Sequence, residues 1–379
     1  MYLNRQWQPL LAWSARALWV TVVALGAFAC GGGDHHGMSS AFQQSNLISN
    51  SGQAPVTDPN LLNPWGIARS PTGPWWVSDN HAGVSTVYDG QGHPFPTPGA
   101  LVVTIPPPAG SPPGTTAAPT GIVFNSNPTG FIVTEGAASG PALFIFATED
   151  GTISGWSQKV NPSQAILMVD NSAGEAIYKG LAGSDPTGND MFVFASDFHN
   201  GKVDVFDSTF TSVDMGSSAF SDPNIPAGFA PFGIRNIGGQ LFVTYAKQDA
   251  DAHDDVKGLG NGYVDVFTTS GVLVRRFASQ GPLNSPWGVV QTPASFGGFG
   301  NAIIIGNFGD GHLSAFDPVS GSFKGQLNQP GGMPVAIDGL WALEFGNGGT
   351  AGSTDTLFFS AGPNAENDGL FGMLTATAG

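Results

Sequence analysis

The sequence predicts an all-β fold, a six-bladed β-propeller whose ring is closed by an N-terminal strand in the last blade. Three observations predict it. A Pro-x-Gly-apolar phrase recurs from residue 60 onward. Each copy is followed by an apolar strand, a turn with Gly and a second, alternating strand. The last copy lacks an outer strand, and the start of the mature chain can supply one.

The openings of the repeat are Pro64-Trp65-Gly66-Ile67, Pro119-Thr120-Gly121-Ile122, Pro231-Phe232-Gly233-Ile234 and Pro286-Trp287-Gly288-Val289. Tyr178-Lys179-Gly180-Leu181 and Asp338-Gly339-Leu340-Trp341 are weaker copies. The glycines at 66, 121, 180, 233, 288 and 339 lie 55, 59, 53, 55 and 51 residues apart, a period that marks a propeller or solenoid. The second halves are 75–89, 144–156, 192–207 and 303–317, with 242–267 carrying a long insertion and 357–374 coming last. Alternation lays one strand face against the next blade, and the Gly turns suit hairpins. Helical heptads are absent. Six hairpin repeats closed in a ring protect their sheet edges. The last repeat offers strands near 340–345, 357–360 and 370–376, so residues 45–49 are expected to clasp it from outside. The Pro-rich stretch 105–119 and the acidic insertion 246–262 read as loops.

Composition agrees. Gly (55) and Pro (29) are abundant among 379 residues and only 11% are charged, but 41% are hydrophobic and 27 are Phe, enough for a packed core. The net charge of −16 becomes more negative once Arg5 and Arg16 of the leader are gone, and no basic cluster offsets it. Such a surface repels phosphate backbones, which excludes nucleic acid as a partner.

Residues 1–29 read as a secretory signal: two arginines, then an uncharged apolar run over 17–29 that is too short for a membrane span and ends in small residues. Cys30 follows and is the only cysteine, so it has no internal disulfide partner. The segment Ala27-Phe28-Ala29-Cys30 resembles a bacterial lipobox, which implies lipidation of Cys30 and export. Gly31 stands where an inner-membrane retention signal often has Asp, so outer-membrane attachment is expected, with periplasmic or secreted location otherwise. Residues 30–45 form a flexible tether and 46–379 the propeller.

Asn63-Pro64-Trp65-Gly66-Ile67, Trp76-Val77-Ser78-Asp79-Asn80, the run 147–154 (ATEDGTIS) and the run 245–250 (YAKQDA) together resemble a family of mostly exported bacterial propeller proteins, distantly similar to NHL repeats. The resemblance spans about 42–377 and implies the fold. It brings no established activity and carries over no catalytic residue. More distant six-bladed relatives, the gluconolactonase-like lactonases and virginiamycin lyase among them, imply only that such a channel can hold a divalent metal.

The loop entering each inner strand and the loop after the second strand are expected at one mouth of the channel. That gathers Asp79, His81, Glu149, Asp150, Asp197 and His199, with Asn307, Asp310 and His312 from the fifth repeat. Carboxylates suit calcium and imidazoles suit a transition metal, so a divalent cation is the cofactor to test. The same Asp and Asn residues can equally close Asx turns with no ligand. Asp249, Asp251, His253, Asp254 and Asp255 make the acidic insertion the densest ligand set, either as a solvated loop or as a cation-dependent lid. Its Asp-x-Asp start lacks the turn glycine and the closing Glu of an EF-hand. Trp65, Phe232 and Trp287 can stack on a sugar or wedge neighbouring blades. No nucleophile elbow, Cys-His pair, zinc helix or phosphate loop is present.

These observations point to a cell-envelope binding module, monomeric, touching the membrane only through its lipid anchor and presenting one loop face to a small molecule, glycan or protein. The alternative is a metal-dependent hydrolase or lyase of the lactonase-like type.

Overall fold

The computed structural model describes residues 41–377 apart from Pro186. The leader, Cys30 and tether residues 30–40 lie outside the described residues. The chain opens with β1 (Phe42–Ser49) and β2 (Val56–Thr57). Blade one follows with β3 (Pro64–Arg69), β4 (Trp75–Asp79), β5 (Val84–Tyr88) and β6 (Val102–Thr104). Blade two starts at β7 (Pro119–Phe124), is interrupted by a separate hairpin of β8 (Ile132–Glu135) and β9 (Ala138–Pro141), and resumes with β10 (Phe144–Thr148), β11 (Thr152–Trp156) and β12 (Ile166–Asp170). Blade three has β13 (Tyr178–Gly183), β14 (Phe192–Asp197) and β15 (Lys202–Asp207). Blade four has β16 (Phe229–Ile237), β17 (Gln240–Lys247), β18 (Tyr263–Thr268) and β19 (Leu273–Ser279). Blade five has β20 (Pro286–Gln291), β21 (Ile303–Asn307), β22 (Leu313–Phe316) and β23 (Phe323–Gln326). Blade six has β24 (Leu340–Phe345), β25 (Leu357–Ala361) and β26 (Leu370–Ala376).

Each blade is an antiparallel meander, and the inner strands β3, β7, β13, β16, β20 and β24 touch in that order before β24 returns to β3. The fold is therefore the six-bladed propeller that the repeat predicts. The N-terminal clasp is present as well: β1 runs antiparallel to β26, from Phe42 opposite Ala376 to Ser49 opposite Leu370. The strand begins earlier than expected, at Phe42, so residues 42–45 belong to the propeller and not to the tether. The reason is apolar. Phe42 is fully buried and its ring stacks on Phe296 and Phe299 of blade five, with centroids 4.8 and 6.0 Å away. Burying one such ring contributes roughly 1.5–3 kcal/mol. The short β2 then pairs in parallel with β1, giving blade six a fifth strand that the repeat does not announce.

Side chains between blades form the core. Trp75 of blade one packs on Phe358 and Phe371 of blade six, and its indole N–H donates to Ala351 O at 3.0 Å. Hydroxyls tie each blade to the inner strand of the next: Thr120 Oγ1 donates to Tyr178 O (2.6 Å), Ser196 Oγ to Phe232 O (2.7 Å) and Ser360 Oγ to Trp65 O. The last of these crosses the closure of the ring. The repeat glycines permit this spacing. A Cβ at Gly66 would lie 2.4 Å from Thr120 O, and one at Gly233 would lie 2.2 Å from Trp287 O. Steric approach, rather than a left-handed backbone, fixes these positions.

The sixth copy is shifted relative to the sequence alignment. β24 starts at Leu340 as β20 starts at Pro286, so Trp341 matches Trp287 and Ala342 takes the place of Gly288. Gly339 lies before the strand with φ +66° in a turn, where a side chain would be strained.

Candidate functional site

The channel has two mouths, and they are built differently. At the first mouth the inner strands begin, and the central residue of each opening faces the axis region: Trp65, Phe232, Trp287 and Trp341 join Phe198 and Phe308 in one aromatic cluster. Trp341 is its hub, stacked on Trp65 at 3.6 Å and on Phe308 at 3.9 Å between centroids. Its Nε1 donates to Asn63 Oδ1 (3.1 Å), and Trp287 Nε1 donates to Lys179 O (2.9 Å). Trp65 and Phe232 are buried, with their faces taken by Trp341 and Phe198. No face of either is left for a sugar, so for these two the geometry favours blade packing over stacking on a ligand. Trp287 is half-buried in the same cluster.

Lys179 occupies the equivalent position in blade three. Its side chain is 2% exposed, and Nζ pairs with Glu149 and, at 3.2 Å, with Asp254. Nζ also lies 5.2 Å from the Trp65 ring centroid, a cation–π contact. Burial pulls the ammonium pKa down, and the two carboxylates outweigh it and hold it above the usual lysine value. Asp254 is driven up by burial and pulled further down by Lys179 and His253, ending below the usual carboxylate range. Glu149 also accepts from Asn80 Nδ2 (2.9 Å), and Asn63 Nδ2 donates to Glu366 (2.8 Å), whose pKa burial raises.

The acidic insertion folds over this mouth. Gln248 bridges Asp255 and donates to Phe198 O, while Lys257 Nζ sits 3.9 Å from the Phe308 centroid. Asp249 accepts the His253 N–H (2.9 Å), Asp251 is exposed in the turn, and burial raises the pKa of Asp255. Of the expected metal ligands, Glu149, His253 and Asp254 are brought together, with ligand atoms within 4.8 Å of one another. The others hold local structure. Asp79 is not in the turn but ends β4, fully buried, where it accepts from Thr86 Oγ1 (2.8 Å) and burial raises its pKa well above the usual value. Asp197 ends β14 and accepts from Ile177 N and Asn200 Nδ2. Asp150 accepts from Ala118 N (2.7 Å), His199 faces Glu175 at 3.7 Å, and His81 lies 3.4 Å from Asn63. Asp310 orders the fifth turn through His312 N and Asn307, which accounts for that repeat without a ligand.

Beneath the aromatic cluster the axis holds a void of about 30 Å³ lined by Gly66, Gly121 and Gly288, space for about one water. Beyond it, at the far ends of the inner strands, the second mouth widens into a cavity of about 470 Å³. Its charged wall was not foreseen. Arg235 of β16 reaches Glu344 of β24 in an ion pair, and Arg69 of β3 lies 3.6 Å from the same carboxylate. Arg69 Nε also donates to Phe345 O at 2.7 Å. Burial first, and the Arg69 charge second, push the Arg235 pKa down to about 10, although 36% of its side chain stays open to the cavity. Asp185 and Asp190 line the blade-three side, and burial pushes the Asp190 carboxyl up to about 7. One signal was available in the sequence. Arg235 and Glu344 stand three residues after Phe232 and Trp341, where the other strands carry Ala68, Val123, Ala182 and Val290.

No family model matches the chain. Uncharacterized protein R648 of Acanthamoeba polyphaga mimivirus is 33% identical over 337 residues, covering 86% of this chain and 78% of the viral protein. Uncharacterized protein L690 of the same virus is 33% identical over 340 residues, covering 86% and 84%. The chain belongs to the family of these mimivirus proteins. The motifs lead one to expect bacterial relatives, whereas the relatives that establish the family are viral. Among solved structures, virginiamycin B lyase from Staphylococcus aureus is 15% identical with a TM-score of 0.49, covering 89% of this chain and 99% of the lyase. A glucose dehydrogenase is 12% identical with a TM-score of 0.48, covering 89% and 100%. At these identities the likeness is one of fold alone.

Proposed function

We propose that the chain is a cell-envelope lipoprotein whose propeller is a binding module, with its ligand seat in the cavity at the second mouth. What supports the seat is the contrast in filling. The first mouth is plugged by paired aromatics and a satisfied lysine, while the second keeps about 470 Å³ beside charged side chains, within the range of small-molecule sites. The envelope location rests on the leader and on Cys30. Cys30→Ser should abolish labelling with a fatty-acid analogue, and retained labelling would end the lipoprotein reading. For the seat, the full chain is screened against a small-molecule library by ligand-observed NMR. The variant Thr187→Trp with Thr354→Trp, at rim positions that are exposed, should lose the hits. Hits unaffected by the two indoles would place the seat elsewhere.

A second reading, a hydrolase or lyase using a divalent cation at the first mouth, is favoured by the convergence of Glu149, His253 and Asp254. One imidazole and two carboxylates fit calcium or a transition metal, but Lys179 already pairs with both carboxylates and offsets one of their two charges. If a cation binds, calcium or zinc should raise the Tm, and more so in Lys179→Met, by the mass-action effect of a ligand that binds only the folded state. A Tm indifferent to every divalent ion and to chelator rejects this reading.

A further inference from the structure

We infer that the cavity at the second mouth takes a small organic carboxylate, held by Arg235 and Arg69 in the place where Glu344 leaves their donors unused. This rests on the binding reading above and adds the class of ligand.

The charge arrangement carries it. Two guanidinium groups from blades one and four converge on the single carboxylate of Glu344 in blade six, which leaves one positive charge uncompensated in that cluster. Across the cavity Asp185 and Asp190 bring the charged lining to two cations against three carboxyl groups, so the positive excess is confined to the arginine side. A charge withdrawn from bulk water is costly unless an opposite charge and hydrogen bonds replace the water. The lowered pKa of Arg235 reflects that cost.

The hydrogen bonds show which donors remain. Arg69 spends Nε on Phe345 O and Nη2 on Gly346 O. Arg235 uses Nη2 alone, toward Glu344. Arg69 Nη1 and Arg235 Nε and Nη1 therefore have no protein acceptor among the described residues. A carboxylate can accept from these donors across the two guanidinium groups, and charge-assisted bonds of this kind are about twice as strong as neutral ones.

The opposing wall sets the rest of the ligand. Asp185 Oδ1 is taken by the Thr187 N–H and hydroxyl, and Asp190 Oδ1 by the Asp185 N–H. Asn236 pins this wall by donating to Gly183 O and Ser184 O, both at 2.9 Å. These acids disfavour a second negative charge on the blade-three side and accept from hydroxyl or amino groups. A monocarboxylate end at the arginines with donors at the other end satisfies both walls. The cavity volume suits a compact metabolite rather than a polymer.

The test is isothermal titration of the full chain with gluconate, 4-hydroxybutyrate and 4-aminobutyrate, with 4-hydroxybutyramide as the uncharged analogue, succinate as a dicarboxylate and inorganic phosphate as a non-carboxylate anion. At least one of the three monocarboxylates should bind measurably and more tightly than succinate, and 4-hydroxybutyramide should not bind. Arg235→Gln should weaken the carboxylate at least about tenfold, as loss of a charge-assisted bond predicts. Glu344→Gln should tighten it about tenfold, because it frees both guanidinium groups; a gain of affinity cannot come from misfolding. Phosphate binding as tightly as every carboxylate, or Glu344→Gln weakening the carboxylate, would overturn the assignment. Binding of neutral library compounds that is lost in the rim variant, with no carboxylate bound, would overturn it while leaving the binding reading intact. If the rim variant changes no binding at all, it is the binding reading that fails.

Discussion

The two mouths of the channel are made by opposite ends of the same six strands, yet one is sealed and the other open. At the sealed end the strands contribute Trp65, Thr120, Lys179, Phe232, Trp287 and Trp341. Three indoles and a phenyl ring supply the volume, and one buried lysine is neutralised by carboxylates. A few residues along, the same strands carry mostly small or aliphatic side chains, and Arg69, Arg235 and Glu344 surround space instead of filling it. The difference teaches where stability and recognition reside. Close packing at one end locks the blades together, so the other end can vary in charge without loosening the ring.

The largest expected effect comes from breaking the seal. Trp341→Ala removes the ring stacked between Trp65 and Phe308 and should cost about 3–5 kcal/mol in chemical denaturation, as a large core truncation does. Arg235→Gln, at the open end, should cost less than about 1 kcal/mol, in the range of partly exposed ion pairs. Equal losses would mean that the two mouths do not divide the labour. Next in size is Lys179→Met, which leaves Glu149 partly buried without its partner and should cost about 2–3 kcal/mol. Adding Glu149→Gln should restore at least about 1 kcal/mol, since a neutral pair needs no counter-ion. A strictly additive double variant would show that the lysine seals by bulk alone.

The smallest effect concerns pH at the open end. The Asp190 pKa rises from 3.8 in the unfolded chain to about 7 in the fold because the carboxyl is buried. Its neutral form is therefore favoured by folding: that contribution is complete below the unfolded value and is lost as pH rises through about 7. Asp190→Asn should flatten the fall in stability between about pH 4 and pH 7 by roughly 1–3 kcal/mol. An unchanged profile would mean that Asp185 or another neighbour carries the titration.

The blades were legible because hairpins are local and their repeat is written along the chain. The clasp was legible by subtraction, since a blade ending at 370–376 still has an open edge. The sixth opening was misaligned because Gly339 mimics the repeat glycine, whereas Ala342 stands at the close approach. The inserted hairpin of β8 and β9 escaped notice because it breaks the period without changing composition. The sites were harder. Asp79 and Asp197 are spelled like channel ligands but end buried strands, where Thr86 donates to one Asp79 oxygen and Asn200 to Asp197. Lys179 and Glu149 meet across blades, and Arg235 and Glu344 pair over a separation of 109 residues. Such partners become neighbours only when the ring closes, so spacing along the chain carries no trace of them.

The pairing of β1 with β26 also sets an order of events during synthesis. The backbone bond from Thr377 N–H to Ala41 O joins residues 336 apart, so β1 waits for β26 to be made. Until then the nascent chain displays Phe42 and Ile48, both fully buried in the finished ring, together with an unpaired edge on every incomplete product. Long-range pairing of this kind is slow and leaves sticky intermediates. A chain cut short by ten residues, at Gly369, would carry the five earlier blades and lose β26, the antiparallel partner of β1. Premature termination should therefore be read by the cell as unfolded material.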